Sequence, residues 1–349
     1  MTSASRPPAA RLTASRPLMS VHRRSLLTAA LATSALAWGG CSRSSSSDAA
    51  APGGADPVDA ADGYPRTIDT ADGPLTLTQQ ASAVACLSSD VADVMLALVG
   101  PERMQVVPRT CTQPFHSVHA EAARTVEHVI EVTGVSDPEQ ILGFAPDLVM
   151  LTTRHERESD ARAQLGEAGV PMLSITNDWD SPEVFAENVT LLGEVLGAED
   201  AATALVADHR RRWDAVAEPV ADRPDSERPV VGMIRTLGDN LWMTGPGTIG
   251  DTAVTAAGAR TLAGELGLDK GIKLDVEQLV KVDPDGLVLI DTTGQGKDQY
   301  ADLLALPGVA ELTAVREDHL VVVTSGELAS GTGGIIALEK IAAALPEWQ

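Results

Sequence analysis

In a chain with 49 acidic against 26 basic residues, a cation at the end of an apolar run calls for an explanation. Arg109 follows the run Met104–Val107, the pair Arg154-His155 follows Leu148–Leu151, and Arg235 follows Val230–Ile234. Ser88 stands in the same relation to Ala83–Leu87, and Trp179 to Met172–Ile175. Trp242, the loop Thr292–Tyr300 and the stretch from Thr324 to Glu327 follow the later runs. In open α/β sheets ligands sit beyond the carboxyl ends of the strands. If the apolar runs are strands, Ser88, Arg109, Arg154, His155, Trp179, Arg235, Trp242 and Tyr300 therefore border a cleft. Guanidinium groups match anions with paired N–H donors, and indoles offer flat apolar walls. The set describes a binding site for an anionic small molecule with a large apolar surface.

Other candidate chemistry is thinner. His116 and His119, with Cys111 or Glu121, are donor types that suit a transition metal. Pro114 interrupts the helical register that would place them on one face, so no metal centre is expected there. Gly245-Pro246-Gly247-Thr248-Ile249-Gly250 has the letters of a dinucleotide fingerprint. However, Pro246 removes a backbone donor, and the match lies in the second half of the chain rather than in a first βαβ unit. It reads as a helix-opening turn along the cleft, with no cofactor. No GxSxG, HExxH or P-loop pattern occurs. A secreted hydrolytic or metal-dependent enzyme is the alternative class to a binding protein.

The elements that must position these residues follow from the pattern. Thr67–Thr70 and Leu75–Thr78 flank a Gly-containing turn and read as a hairpin. Beyond it, short apolar runs alternate with helical periodicities, which argues for α/β units with mainly parallel sheets. Glu139-Gln140-Ile141-Leu142 precedes Pro146-Asp147 and the run Leu148–Leu151; Glu277-Gln278-Leu279-Val280 precedes Pro284-Asp285 and Leu287–Leu289. The offset is 138 residues throughout, so two lobes of one design are expected. Ser181-Pro182-Glu183 opens a helix with a capping residue and Pro at its first position. After Gly197 a second helix is expected from about Glu199 to Val220, a rod of about 33 Å. The expected divisions are an N-terminal lobe over 64–197, an interlobe helix over 198–222 and a C-terminal lobe over 223–349.

The amino terminus is an address. Residues 1–41 hold five arginines and no acidic residue, and His22-Arg23-Arg24-Ser25-Leu26-Leu27 opens a short apolar stretch ending at Trp38-Gly39-Gly40-Cys41. A basic segment, a short apolar run and small residues are signal-peptide features, and the run is too short to span a bilayer. The Arg pair resembles a twin-arginine signal. The small residues before Cys41 resemble a lipobox, with Trp38 departing from its usual aliphatic residue, so Cys41 is the expected lipidation site. Residues 42–63, with their serine run, read as a disordered tether. Export leaves Cys86 and Cys111 either bridged or as two free thiols. The remaining body is more acidic than the overall net charge of −23, which excludes nucleic-acid binding. No second long apolar run exists, which excludes a polytopic membrane protein.

Across residues 66–349 the chain resembles the substrate-binding proteins of ABC importers for ferric siderophores, haem and cobalamin. The resemblance is carried by Val84-Ala85-Cys86-Leu87-Ser88, by the two Glu-Gln…Pro-Asp blocks and by Gly245-Pro246-Gly247-Thr248. It implies a periplasmic-binding-protein-like fold of the helical backbone type, a monomer held outside the cytoplasmic membrane by a lipid. Its partner would be a permease dimer with ATPase subunits, docked through one Glu on each lobe, by position Glu139 and Glu277. The ligand it implies is an iron(III)-siderophore, with haem or cobalamin as alternatives. Haem would need an axial side chain, for which Tyr300 and His155 lie on opposite sides of the proposed cleft.

Overall fold

The computed structural model of the protein describes residues 63–131, 137–153, 156–176, 179–238, 240–328 and 331–348. The expected leader, the lipidation residue Cys41, the tether as far as residue 62, and both Arg154 and His155 lie outside the described residues.

Alternating polar and apolar residues form the opening hairpin, β1 (Arg66–Thr70) and β2 (Gly73–Leu77), in which Ile68 pairs with Leu75 and both are buried. The first sheet is built from β3 (Val84–Cys86), β4 (Met104–Pro108), β5 (His128–Ile130), β6 (Leu148–Thr153) and β7 (Met172–Thr176). All are parallel, in the order β5-β4-β3-β6-β7. All three residues of the central strand β3 are buried, which is why it reads as an unbroken apolar run. Helices α1 (Ser89–Val99), α2 (Pro138–Gly143), α3 (Glu156–Glu167) and α4 (Pro182–Leu196) accompany this sheet. Ser181 caps α4 through the Val184 N–H, as its sequence demands.

Helix α5 (Glu199–Ala217) continues from there, and a 3-10 turn over Glu218–Val220 carries it to the expected end. Its 19 residues make a rod of about 29 Å. Ala202 near its start joins the core of the first half, and Trp213 near its end joins the core of the second. Between them His209 stacks on Phe185 of α4 at 3.9 Å and faces Trp213 at 6.0 Å. A column of rings thus runs from one core to the other along the connecting helix.

The second sheet comprises β8 (Val230–Leu237), β9 (Asn240–Met243), β10 (Arg260–Thr261), β11 (Ile272–Lys273), β12 (Gly286–Asp291) and β13 (Leu320–Thr324). The order is β11-β9-β8-β12-β13, with β10 also paired to β8. β9 is antiparallel to β8 and β11, and the remaining pairs are parallel. The sequence runs foretold β8, β12 and β13; β9 escaped notice because it is short and begins with Asn240. Helices α6 (Ile249–Ala256), α7 (Val276–Val282) and α8 (Gly334–Ala344) lie where helical spacing was expected.

The repeated Pro-Asp pairs do the same work in both halves. The Asp147 carboxylate accepts from the Ser82 and Ala83 N–H groups at 2.7 and 3.0 Å, while its own N–H donates to Ala83 O. The Asp285 carboxylate accepts from Val230 N–H at 2.7 Å, and its N–H donates to Val230 O. Each aspartate clips the start of a central strand, β3 or β8, to the strand that follows the clip. Among the described residues no helix is long and apolar enough to cross a membrane.

Candidate functional site

The carboxyl ends of the two sheets border a cleft of about 460 Å³, a size within the usual range of small-molecule sites. The first half contributes Ser89, Asp90, Thr110 and His116. The second contributes Arg235 and Trp242 from the β8–β9 hairpin, Thr244, Gly245 and Thr248 from the turn into α6, and Ser325 after β13. Arg235 and Trp242 are direct cross-strand partners, so a guanidinium and an indole leave the sheet side by side. Arg235 is exposed and makes no ion pair with another described residue. The glycine turn behaves as its letters implied. Thr248 caps α6 through the Asp251 N–H, and a Cβ on Gly245 would fall on the backbone of Gly271. That close approach requires glycine there and lets the turn lie flat along the cleft.

Several expected wall residues have other duties. Tyr300 is 1% exposed, and its hydroxyl lies 2.7 Å from Ile290 O and 3.1 Å from Ile234 O. Burial raises its phenol above the ordinary value. It is a core residue beneath the sheet and cannot serve as an axial ligand. Trp179 is also buried, against Phe185, with Nε1 donating to Asp90 Oδ2 at 3.1 Å. It acts on the cleft only through Asp90. Arg109 turns away to pair with Glu131 outside the lining, and its neighbour Thr110 reaches the cleft instead. Ser88 spends its hydroxyl on the Thr152 N–H at 2.9 Å. The strand-end rule found the right loop but missed by one or two residues, because α1 starts at Ser89 and its first turn presents Ser89 and Asp90. Cys86 and Cys111 are both buried free thiols in the structure, not a bridge.

Close in sequence to the lining residues Asp90 and Ile290 stand two further carboxylates, Asp93 and Asp291, outside the lining itself. Asp93, 1% exposed, has its pKa pushed up to about 7 by burial; the Ser117 hydroxyl works against that rise and the Asp90 charge adds to it. Burial lowers His116, with Asp291 opposing, so its imidazole is neutral near pH 7. Burial raises Asp291, but N–H groups of Thr293, Gly296, Gly294 and Gln295 outweigh it and hold that carboxyl below the usual range. The segment bearing His116 rests on the second half. Gly326 N–H donates to Phe115 O at 2.9 Å, and a Cβ on Gly326 would press on Ser117 N at 2.7 Å. His119 faces a separate space of about 310 Å³ behind the cleft, with Nε2 3.0 Å from Thr332 Oγ1. The two histidines therefore serve different cavities, and no group of three metal-ligating side chains occurs among the described residues.

Glu139 and Glu277 occupy matching places. Each is exposed, second in its helix, with its N–H bonded to a capping aspartate: Asp137 for α2 at 3.0 Å and Asp275 for α7 at 3.2 Å. Neither forms an ion pair with a described residue. The caps extend the 138-residue repeat by a position that the sequence reading passed over.

Residues 84–326, more than half of the chain, match the family model described as periplasmic binding protein. The iron-uptake system-binding protein of Bacillus subtilis (strain 168) is 24% identical over 205 residues, covering 55% of this chain and 60% of that protein. A solved periplasmic heme-binding protein from Pseudomonas aeruginosa is 26% identical with a TM-score of 0.64, covering 76% of this chain and 92% of that one. The structure of an ABC-type Fe3+-hydroxamate transport system from Saccharomonospora viridis DSM 43017 has a TM-score of 0.62 at 20% identity, covering 80% of this chain and 99% of that one.

Proposed function

The chain belongs to the periplasmic binding protein family, whose members bind solutes rather than transform them, and from that premise we propose that it captures an iron(III)-siderophore for an ABC importer. The observation that carries this reading is the cross-strand pair Arg235–Trp242 facing the hydroxyls of Ser89 and Thr110 across one cleft. A siderophore already fills the coordination sphere of its metal. The protein then needs only a flat wall, a cation for residual negative charge and hydrogen-bonding groups around the rim. The iron-uptake relative and the hydroxamate-system structure favour iron as the cargo.

Around this cleft we place lobes over 64–197 and 223–349, joined by the helix of 198–222. Glu139 and Glu277 are the docking points for arginines of a permease dimer with its ATPase subunits. Cys41 carries the lipid that holds a monomer at the outer face of the cytoplasmic membrane. The matched capping and exposure of the two glutamates support the docking assignment.

Haem is a second reading, favoured by His116. Its imidazole lines the cleft, is kept neutral by burial and has no hydrogen-bond partner among the described residues. With Tyr300 locked in the core, His116 is the described side chain in the cleft best suited to bind haem iron. Titration of the full chain by tryptophan fluorescence separates the readings. Submicromolar quenching by one ferric chelate, with no response to haem, supports the siderophore. Saturation by haem with a Soret shift that His116→Ala abolishes replaces it, and turnover of any ligand overturns both.

A further inference from the structure

The hairpin that carries Arg235 and Trp242 has a third strand beside it. β11 pairs antiparallel with β9, and its register sets Lys273 directly opposite Trp242, as Arg235 is on the other side. Directly opposed residues of antiparallel strands leave the same face of a sheet. Arg235, Trp242 and Lys273 therefore form a row across three strands: cation, indole, cation. With strands about 4.8 Å apart, the two cations leave the backbone roughly 10 Å from each other. The neighbouring row is Ile234, Met243 and Ile272, and it packs into one apolar core. Alternation along the strands turns the cationic row to the opposite face. Thr244 and Gly271, two residues from Trp242 and Lys273 respectively, both line the cleft. Lys273 stands one strand outward from the lining residue Trp242; it is exposed and, like Arg235, makes no ion pair with another described residue.

We propose that Lys273 is a second cation for the cleft ligand, and that the row Arg235–Trp242–Lys273 selects ferric tricatecholates. The inference deepens the siderophore reading of the cleft and rests on it. Among the described residues the one acidic side chain in the cleft lining is Asp90, which is 2% exposed and accepts from the Trp179 indole. Two unpaired cations beside one indole thus reverse, locally, the sign of a chain whose net charge is −23. A catecholate gives up both phenolic protons to iron(III), so its complex keeps several negative charges on phenolate oxygens. A hydroxamate gives up one proton, and three of them leave the iron(III) complex neutral. Phenolate oxygens suit guanidinium and ammonium donors, and the electron-rich rings stack on an indole and draw cations to their faces. A neutral trihydroxamate covering the same row would desolvate two cations without pairing them, which costs affinity.

The test titrates the full chain with a synthetic ferric tricatecholate, a ferric trihydroxamate of matched size, and haem. The wild type should prefer the tricatecholate by about tenfold or more. Lys273→Gln should weaken the tricatecholate about tenfold at low salt and less at high salt, while trihydroxamate binding stays within about twofold. Lys273→Arg keeps the charge and should keep the affinity. Lys281→Gln makes the same change of net charge on α7 and should move neither chelate, so a general effect of charge is told apart from a contact. If Lys273→Gln binds both chelates as the wild type does, the lysine only guards the edge strand against pairing, and the proposal is overturned. A wild-type preference for the trihydroxamate overturns it too, and leaves the siderophore reading standing. Saturation by haem with no response to either chelate removes the siderophore reading itself, and this inference with it.

Discussion

Arg235 and Trp242 stand directly opposite each other on β8 and β9, and both face the cleft between the two halves of the chain. Side chains in that relation leave the sheet about 5 Å apart, so charge and apolar wall meet the same part of a ligand. Their contributions separate by salt. Trp242→Ala removes dispersion and apolar burial and is expected to weaken ferric-chelate binding by about tenfold or more at any ionic strength. Arg235→Ala is expected to cost about tenfold at low salt and less at high salt, because an exposed charge is screened. Titrations at two salt concentrations check both. A salt-independent loss in Arg235→Ala would mean that the guanidinium acts by packing.

Tyr300 gives a clean contrast, since its hydroxyl is committed to the carbonyls of Ile234 and Ile290. Tyr300→Phe leaves those buried acceptors short of a donor and is expected to reduce stability by about 1–2 kcal/mol. Chelate affinity, and any haem spectrum, should stay as in the wild type. Denaturant melts beside a binding titration check this; an altered Soret band in the variant would return the tyrosine to the cleft.

How much of this was legible in the sequence depended on whether a residue's role is set locally. The Pro-Asp repeat, the Ser181 cap and the Gly245–Gly250 turn were readable because each is satisfied within a few residues or by a matching block. Most of the parallel strands were readable from their apolar runs, but β5 and β10, three and two residues long and each opening on a basic residue, leave no such run. Side-chain direction was not readable. Arg109 and Thr110 are adjacent, and only the choice of Glu131 as a partner decides which of them reaches the cleft. Trp179 and Tyr300 looked like walls because aromatic residues serve cores and ligand sites equally well. Asp90 and Asp93 escaped notice because acidic residues abound in this chain, and their burial depends on Trp179 and Ser117 arriving from distant segments.

The matched glutamates predict a separation of binding from transport. Glu139→Arg with Glu277→Arg reverses charge at two exposed positions that pair with no described residue, so neither stability nor chelate affinity should move by more than about 0.5 kcal/mol. If the two glutamates are the proposed docking points, uptake of the ferric chelate by cells relying on this protein should fall at least tenfold, because like charges would then meet at both. Unchanged uptake with intact binding would remove the two residues from the docking surface.

Two buried groups set opposing dependences of stability on pH. Asp93 titrates at about 7 in the folded protein against an ordinary value of 3.8. Between those values the folded state holds a proton that the unfolded state has released, so stability falls as pH rises from about 4 to about 7 and is level above. His209, pressed between Phe185 and Trp213, is lowered by burial, with Arg212 adding, from 6.5 to about 4. Here the unfolded state binds the extra proton, so stability falls as pH drops from about 6.5 to about 4. In the wild type the two slopes oppose each other over most of this window, each worth a few kcal/mol at most. Asp93→Asn removes the first slope, so its stability should rise with pH more steeply than that of the wild type between about 4.5 and 6.5. His209→Phe keeps a ring in the column and removes the second, so its stability should fall over the same interval relative to the wild type. Urea unfolding across that range checks both signs. Curves parallel to the wild type in both variants would show that neither group titrates as its burial requires.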